Sequence, residues 1–168
     1  MKNILILLLI SFLLFSCKEK IKQEIKIERD NSNIKLVFPD TVYINEGYDG
    51  EIKYKNHLDT ITTTLDDVKK YRYIEYYFLK TKNINYDETY LKTIIKDTAY
   101  ADNSKVIPLL YVKFDKLGQN YIDGIITDKV SIVNGGKLVG GKPGTRIITN
   151  QFRVTKGVYV IEKPKKAK

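Results

Sequence analysis

The chain has 168 residues and a formal net charge of +9, from 29 basic and 20 acidic residues. With one cysteine and one histidine, it has neither the partner for an internal disulfide nor the ligands of a histidine-based zinc site. The basic residues are nearly all scattered lysines, whereas nucleic-acid readers cluster arginines. The composition therefore predicts a solvated, lysine-rich surface and no nucleic-acid partner. It leaves open a weak attraction to anionic lipid headgroups or acidic glycans.

The N-terminal residues have the layout of an export signal. Met1-Lys2-Asn3 gives a positive start, and Ile4–Phe15 is a run of twelve residues that is apolar except for Ser11. A membrane-spanning helix needs about 20 apolar residues, so this run has the length of a signal-peptide core. The composition then changes abruptly to Lys18-Glu19-Lys20, and no later run of similar length predicts another membrane segment.

The end of this run, Leu14-Phe15-Ser16-Cys17, resembles the lipobox of bacterial lipoproteins. Leu14 and Ser16 match the favoured residue types, and Phe15 stands where a small or β-branched residue is usual. The resemblance implies that residues 1–16 are a signal peptide and that Cys17 becomes the first mature residue, with a diacylglycerol on its thiol. We expect no cofactor beyond this covalent lipid, which would anchor the protein in a membrane. The alternative is a secreted protein in which Cys17 is a free thiol.

Three zones are predicted after the signal peptide. Residues 17–33 are the lipidated cysteine and a charged tether, which has no Gly, Pro or aromatic residue. Residues 34–162 are a single domain, and residues 163–168 are a basic tail that we expect to be disordered.

The domain shows the two-residue alternation of β-strands nearly throughout. In Arg72–Lys80, for example, Tyr73 and Tyr77 lie on the opposite face from Ile74 and Phe78. The predicted strand segments are Ile34–Phe38, Val42–Ile44, Gly50–Lys55, Arg72–Lys80, Val106–Phe114, Tyr121–Val133, Thr145–Thr155 and Val158–Ile161.

Finer features of the pattern give further expectations. Val106–Phe114 is apolar on both faces, which predicts a central strand. The glycine-rich stretch Asn134–Gly144 predicts a hairpin loop, and Gly157 a break in the last strand. Leu65–Tyr71 is the place with helical features, because Asp66 and Asp67 could open a single turn.

Many short strands without a sustained helix predict an all-β fold, namely a single antiparallel, immunoglobulin-like β-sandwich of about seven to nine strands. Thr41–Lys55 resembles the first strands of immunoglobulin-like domains. Phe114–Asp128 resembles the corner between two late strands, with Gly118 turning the chain and Tyr121 starting the next strand. The cysteine pair and tryptophan of antibody domains are absent.

The whole pattern resembles the small outer-membrane lipoproteins of Bacteroidota. This resemblance implies a location in the cell envelope, with a lipid anchor in the outer membrane. Lys18-Glu19-Lys20 matches the surface-export signal of such proteins in part, which leaves the membrane face open.

No catalytic or metal-binding residue is predicted. His57 lacks a nucleophile motif and is expected to be an exposed turn residue. Gly136–Lys142 fits the first seven positions of a phosphate-binding loop, but Pro143 stands where Ser or Thr must hold magnesium, and a strand is predicted to follow. Acidic residues such as Asp66-Asp67 and those of the Asp97–Ser104 loop lack the spacing of a calcium site and suit turns.

The tyrosines carry the remaining functional hypothesis. If Tyr73 and Tyr77 are exposed, they offer a flat, amphipathic contact surface for an envelope protein or a glycan. The competing and preferred interpretation is that the tyrosines cover a core without tryptophan. We therefore predict a non-enzymatic interaction or accessory module. The alternatives are a glycan-binding lipoprotein and, less favoured, an envelope hydrolase with dispersed carboxylates.

Overall fold

The computed structural model describes residues 33–139 and 141–165. The predicted signal peptide, Cys17 and nearly all of the tether therefore lie outside the described residues, as does the end of the basic tail. Eight strands form two sheets, in the orders β1-β3-β6 and β2-β8-β7-β4-β5. The strands are β1 (Ile34–Val37), β2 (Thr41–Tyr43), β3 (Gly47–Tyr54), β4 (Lys70–Thr81), β5 (Asp97–Tyr100), β6 (Val106–Lys113), β7 (Gly118–Lys137) and β8 (Pro143–Ile161).

The two sheets pack face to face, which confirms the all-β sandwich. The alternation of β3 buries Ile52 and Tyr54, and that of β4 buries Ile74, Tyr76 and Phe78 against them. These apolar rows join residues of β6, β7 and β8 in one core, because face-to-face packing removes the inner faces of both sheets from water. The separation of β1-β3-β6 from β8-β7-β4-β5 corresponds to the immunoglobulin arrangement of strands.

One strand pair departs from the predicted antiparallel pairing. β2 pairs with β8 in parallel, with Val42 opposite Val160. A break at Pro39 separates β1 from β2, so the N-terminal segment crosses from the smaller sheet to the larger one. Parallel neighbours need a long crossover, and here the rest of the domain supplies it.

The prediction that Val106–Phe114 is a central strand is wrong. β6 is an edge strand of the smaller sheet and pairs with β3 alone among the described strands. A bulge explains its two apolar faces. Tyr111 has a positive φ of 55°, and Leu110 and Tyr111 turn outward, so that Leu109 and Val112 both reach the core.

The helical prediction at Leu65–Tyr71 is also wrong. The Asp67 side chain accepts the backbone N–H groups of Lys69 and Lys70, which forms a turn into β4. The α-helix of the described chain is α1 (Glu88–Ile94), capped by Asp87 through the N–H of Tyr90. Its buried residue Leu91 packs on the outer face of the larger sheet.

The last two strands are longer than predicted. Gly157 does not break β8, because it pairs with Tyr121 inside a continuous ladder. The ladder also enters the glycine-rich stretch, where Gly136 pairs with Gly144, so the loop shrinks to residues 138–142. β4 pairs with β7 only as far as Ile132. Beyond it, β7 and β8 continue as a two-stranded ribbon. We call this ribbon, together with Arg146 and Ile147 at its base, which lie opposite Ile132 and Ser131, the hairpin arm (residues 133–139 and 141–147).

Candidate functional site

The tyrosine residues singled out by the sequence lie on the outer face of the larger sheet. Tyr73 and Tyr77 are half-buried there, and two neighbouring tyrosines are more exposed to solvent. Tyr71 on β4 and Tyr100 on the edge strand β5 are 52% and 56% exposed, and the rings of Tyr73 and Tyr100 lie 6.0 Å apart. We call these four residues, Tyr71, Tyr73, Tyr77 and Tyr100, the tyrosine face.

A buried carboxylate lies beneath this face. Glu75 is directly opposite Tyr100 and is 6% exposed. Burial and then a hydrogen bond to Glu75 raise the pKa of Tyr73 above its ordinary value, and the same causes raise the pKa of Tyr77 to about 12. A protonated phenol is a hydrogen-bond donor, so both tyrosines can donate to this carboxylate.

Polar groups flank the tyrosine face. Residues directly opposite each other on neighbouring strands share a face. On this basis Thr98 lies beside Tyr77, Lys129 beside Tyr73, and Ser131 beside Tyr71. The face thus combines an aromatic row with hydroxyl groups and one cation.

Neither of the two sequence interpretations, an exposed contact surface or a covering of the core, fully describes Tyr73 and Tyr77. Tyr73 and Tyr77 are neither fully exposed contact residues nor core residues, whereas Tyr76 is fully buried. Tyr71 and Tyr100 were missed as site residues. Alternation from Tyr73 could have placed Tyr71 on this face, but Tyr100 needed the pairing of β5 with β4.

A buried ionic network, which no motif indicated, joins the two sheets. Arg72 Nε and Nη2 donate to the two carboxylate oxygens of Asp128 at 3.0 and 2.7 Å. Arg72 Nη1 donates to Asp59 Oδ1 at 2.6 Å. Asp128 Oδ2 also accepts from the Tyr54 hydroxyl at 2.8 Å and from Asn56 Nδ2 at 2.7 Å.

The electrostatics of this network suit a structural role. Burial lowers the pKa of the Arg72 guanidinium, but the hydrogen bonds and charges of Asp128 and Asp59 outweigh it, so that pKa lies above its ordinary value. Burial and the Asp128 charge raise the pKa of the Tyr54 phenol. Asp128 accepts four hydrogen bonds from fixed donors, so it is a poor candidate for a general base.

A second buried carboxylate lies on the outer face of the sheet. Asp123, which is fully buried, accepts from Arg153 Nε at 3.0 Å and Nη2 at 2.7 Å, and from Thr155 at 2.7 Å. Arg153 also donates to the carbonyl oxygens of Tyr86 and Ile84. This arginine therefore fastens the segment before α1 to the sheet.

A cleft of about 590 Å³ opens beside the Arg72 network. Its lining includes Lys53, Lys55, Lys105 and Ser104, and its one carboxylate is that of Asp59. A glycosidase needs two carboxyl groups facing each other across the scissile bond. This cleft holds one, already paired with Arg72, so its chemistry suits weak binding of an anion better than hydrolysis.

The structure supports neither a phosphate-binding loop nor a metal site among the described residues that the sequence raised as candidates. His57 is exposed in a 3-10 helix, His57–Thr60, that follows β3. Gly136 and Lys137 belong to β7, and strand β8 follows the loop, which is incompatible with a phosphate-binding loop. Within residues 33–139 and 141–165, no group of three or more His, Cys, Asp or Glu side chains could hold a metal ion.

Within the same ranges, no helix is long and apolar enough to cross a membrane. Comparison of the chain with protein-family models, with curated proteins and with solved structures found no match. The assignment of function therefore depends on the residues and the geometry described above.

Proposed function

We propose that this protein is a lipid-anchored component of the bacterial cell envelope whose β-sandwich is a non-enzymatic binding module. The observation that carries the binding role is the tyrosine face. The anchor depends on Cys17 and the lipobox-like segment before it. The predicted tether, residues 18–33, would connect the lipid to β1.

The tyrosine face supports binding for two physical reasons. Tyrosine side chains give a large contact area at low cost in conformational entropy, and their hydroxyl groups add directional hydrogen bonds. Tyr73 and Tyr77 are already half-buried, so less side-chain freedom is lost when a partner binds. Buried Asp123 and Asp128 are engaged by arginines, which supports a structural role for them over hydrolysis.

Photo-crosslinking from the tyrosine face in native envelope tests the binding role. A photoreactive residue at position 98, opposite Tyr77, should crosslink one specific partner, and Tyr71→Ala with Tyr100→Ala should weaken capture about tenfold or more. Tyr159→Ala is the matched control, because Tyr159 is 52% exposed and lies at the far end of β8. Equal capture by all variants, or no specific partner, would count against the proposal.

A glycan is the second candidate ligand, and one observation favours it. The aromatic row lies beside Thr98 and Ser131, an arrangement in which rings stack on sugar faces while hydroxyl groups hydrogen-bond to the sugar. Electrophoresis through gels containing soluble polysaccharides measures this directly. Retardation that Tyr100→Ala removes and Tyr159→Ala keeps would identify the ligand as a glycan. Unchanged mobility on every polysaccharide would leave a protein partner as the better candidate.

The anchor has its own test. Cys17→Ala should abolish metabolic labelling with a fatty acid and release or misprocess the protein. Cys17→Ser is a useful companion, because it keeps the size and polarity of the side chain. Unchanged labelling in both variants would refute the lipid assignment without bearing on the tyrosine face.

A further inference from the structure

The hairpin arm carries apolar side chains that are exposed to solvent. Val133, Leu138, Val139 and Ile147 are 50%, 59%, 104% and 61% exposed. Single exposed apolar residues are ordinary on protein surfaces, but several concentrated on one projecting ribbon mark an interaction site.

The charge of the arm is as uneven as its hydropathy. Lys137, Lys142 and Arg146 lie on it, and residues 129–147 contain no Asp or Glu. Elsewhere, some lysines pair with carboxylates, as Lys80 does with Asp97 and Lys156 with Asp40. Among the described residues, no ion pair involves any of the three cations of the arm. The arm therefore combines apolar side chains with uncompensated positive charge.

The arm projects from the end of the sandwich at which the described chain begins. Ile34 pairs with Tyr54, whose hydroxyl donates to Asp128 at 2.8 Å. β7 then continues past Asp128 to Lys137, a distance of roughly 30 Å at the usual rise of a strand. The tether and the arm thus leave the same end of the domain.

We propose that the hairpin arm is a second membrane contact, which lies on an anionic lipid surface and inserts its apolar tip among the headgroups. The inference rests on the proposed lipid anchor, because the anchor decides which end of the domain lies near the membrane. A lipid surface fits both properties of the arm, because anionic headgroups attract lysine and arginine while the interface accepts apolar side chains. The arm fixes the orientation of the domain, which the lipid alone would not do at the end of a tether that can span up to about 55 Å.

The arm lies in the headgroup region and does not enter the hydrocarbon. Beyond Val133, β7 and β8 pair only with each other among the described strands, so both edges of the ribbon keep backbone groups that need water or headgroup partners. Gly141, with a φ of 79°, makes the turn at the tip. A tight glycine turn keeps the tip narrow enough to enter between headgroups.

An environment-sensitive fluorophore at the tip tests the inference in the full chain. The label is placed on Val139→Cys in protein that carries its lipid on Cys17, reconstituted in vesicles. We expect a blue shift of emission in vesicles rich in phosphatidylglycerol, and a smaller shift in phosphatidylcholine alone or at high salt. Leu117→Cys is the matched control, because Leu117 is exposed just before β7, at the opposite end of the domain, and should show no shift.

Charge reversal separates the arm from the anchor. The variant Lys137→Glu with Lys142→Glu and Arg146→Glu should lose the blue shift at position 139 and keep fatty-acid labelling of Cys17. No shift in the lipidated protein with anionic vesicles, or a shift that requires added envelope proteins, would overturn the membrane contact. A shift in labelled Val139→Cys carrying Cys17→Ser, in a chain without lipid, would support the arm even if the anchor proposal fails.

Discussion

The two halves of the β7–β8 hairpin are both antiparallel but have opposite environments, and a register shift between Ile132 and Gly136 separates them. In the half within the sandwich, Ile126 and Asp128 are fully buried. In the arm, Val133 of β7 and Leu138 of the loop are exposed to solvent. The difference begins at Ile132, where β4 stops pairing with β7.

This contrast shows that local pairing does not decide burial. Each strand presents two faces, and a face is buried only when another sheet or helix covers it. Within the sandwich, the smaller sheet covers the inner face, while α1 packs against Ile125 on the outer face. The arm lacks these layers in the described chain. We therefore expect substitutions in the body, which is the sandwich without the arm, to change stability, and substitutions in the arm to change function.

Removing the buried arginine should have the largest effect on stability. Arg72→Leu leaves the carboxylate of Asp128 buried without its cation, and we expect a loss of about 3–5 kcal/mol in the free energy of unfolding. Urea denaturation measures the loss. Arg146→Leu on the arm is the matched control, with an expected change within about 0.5 kcal/mol. Equal effects of the two variants would remove the distinction between body and arm.

Deleting an apolar side chain should likewise cost much more stability in the body than in the arm. Ile126→Ala deletes a fully buried side chain and should cost about 2–5 kcal/mol, because the rigid core leaves a cavity. Ile147→Ala removes the same atoms from an exposed site at the base of the arm, opposite Ser131. We expect its unfolding midpoint to stay close to that of the wild-type protein. A large loss in Ile147→Ala would indicate a packing partner for the arm.

Alkaline pH should lower the stability of the body, because it ionises the partly buried tyrosines. The pKa of Tyr77 is about 12 in the folded protein, against about 10 in an unfolded chain. Its contribution to stability is therefore fully present below pH 10 and is lost as the pH rises from about 10 to 12. Urea midpoints across this range should fall less steeply in Tyr77→Phe than in wild type. Tyr159→Phe, at the far end of β8, should follow the wild-type curve.

The smallest effect on stability is expected at the tip of the arm. Val139→Ser exchanges an exposed apolar side chain for a polar one, so the free energy of unfolding should change by less than about 0.5 kcal/mol. The same variant should reduce vesicle contact of the domain, measured by quenching from spin-labelled lipids. Normal stability with weaker contact would identify Val139 as a functional residue. A strong loss of stability would assign it a structural role.

Much of the fold was predictable, because alternation of apolar residues records which face of a strand is buried. It identified Ile52 and Tyr54, and the opposite faces of β4. It failed at β6, because a bulge at Leu110 and Tyr111 shifts the alternation by one residue. It also missed α1, a helix of seven residues that is too short for a clear helical period.

The candidate site was predictable only in part. Tyr73 and Tyr77 could be placed on one face of a strand, but their half-buried state depends on Glu75 and on Tyr100 of the neighbouring strand. Arg72 and Asp128 are 56 residues apart in sequence and meet through the pairing of β4 with β7. No local pattern indicates such a pair, because each residue taken alone resembles a surface charge.

The sequence by itself determined the β class and which side of each regular strand is apolar, because both depend only on the spacing of apolar residues along the chain. It also predicts a lipid on Cys17, which fatty-acid labelling tests. The tertiary structure decided which strands are neighbours, and hence which charges are buried and which apolar residues stay exposed. Burial depends on neighbouring layers, so Arg72 became part of the core while Val139 remained at the surface.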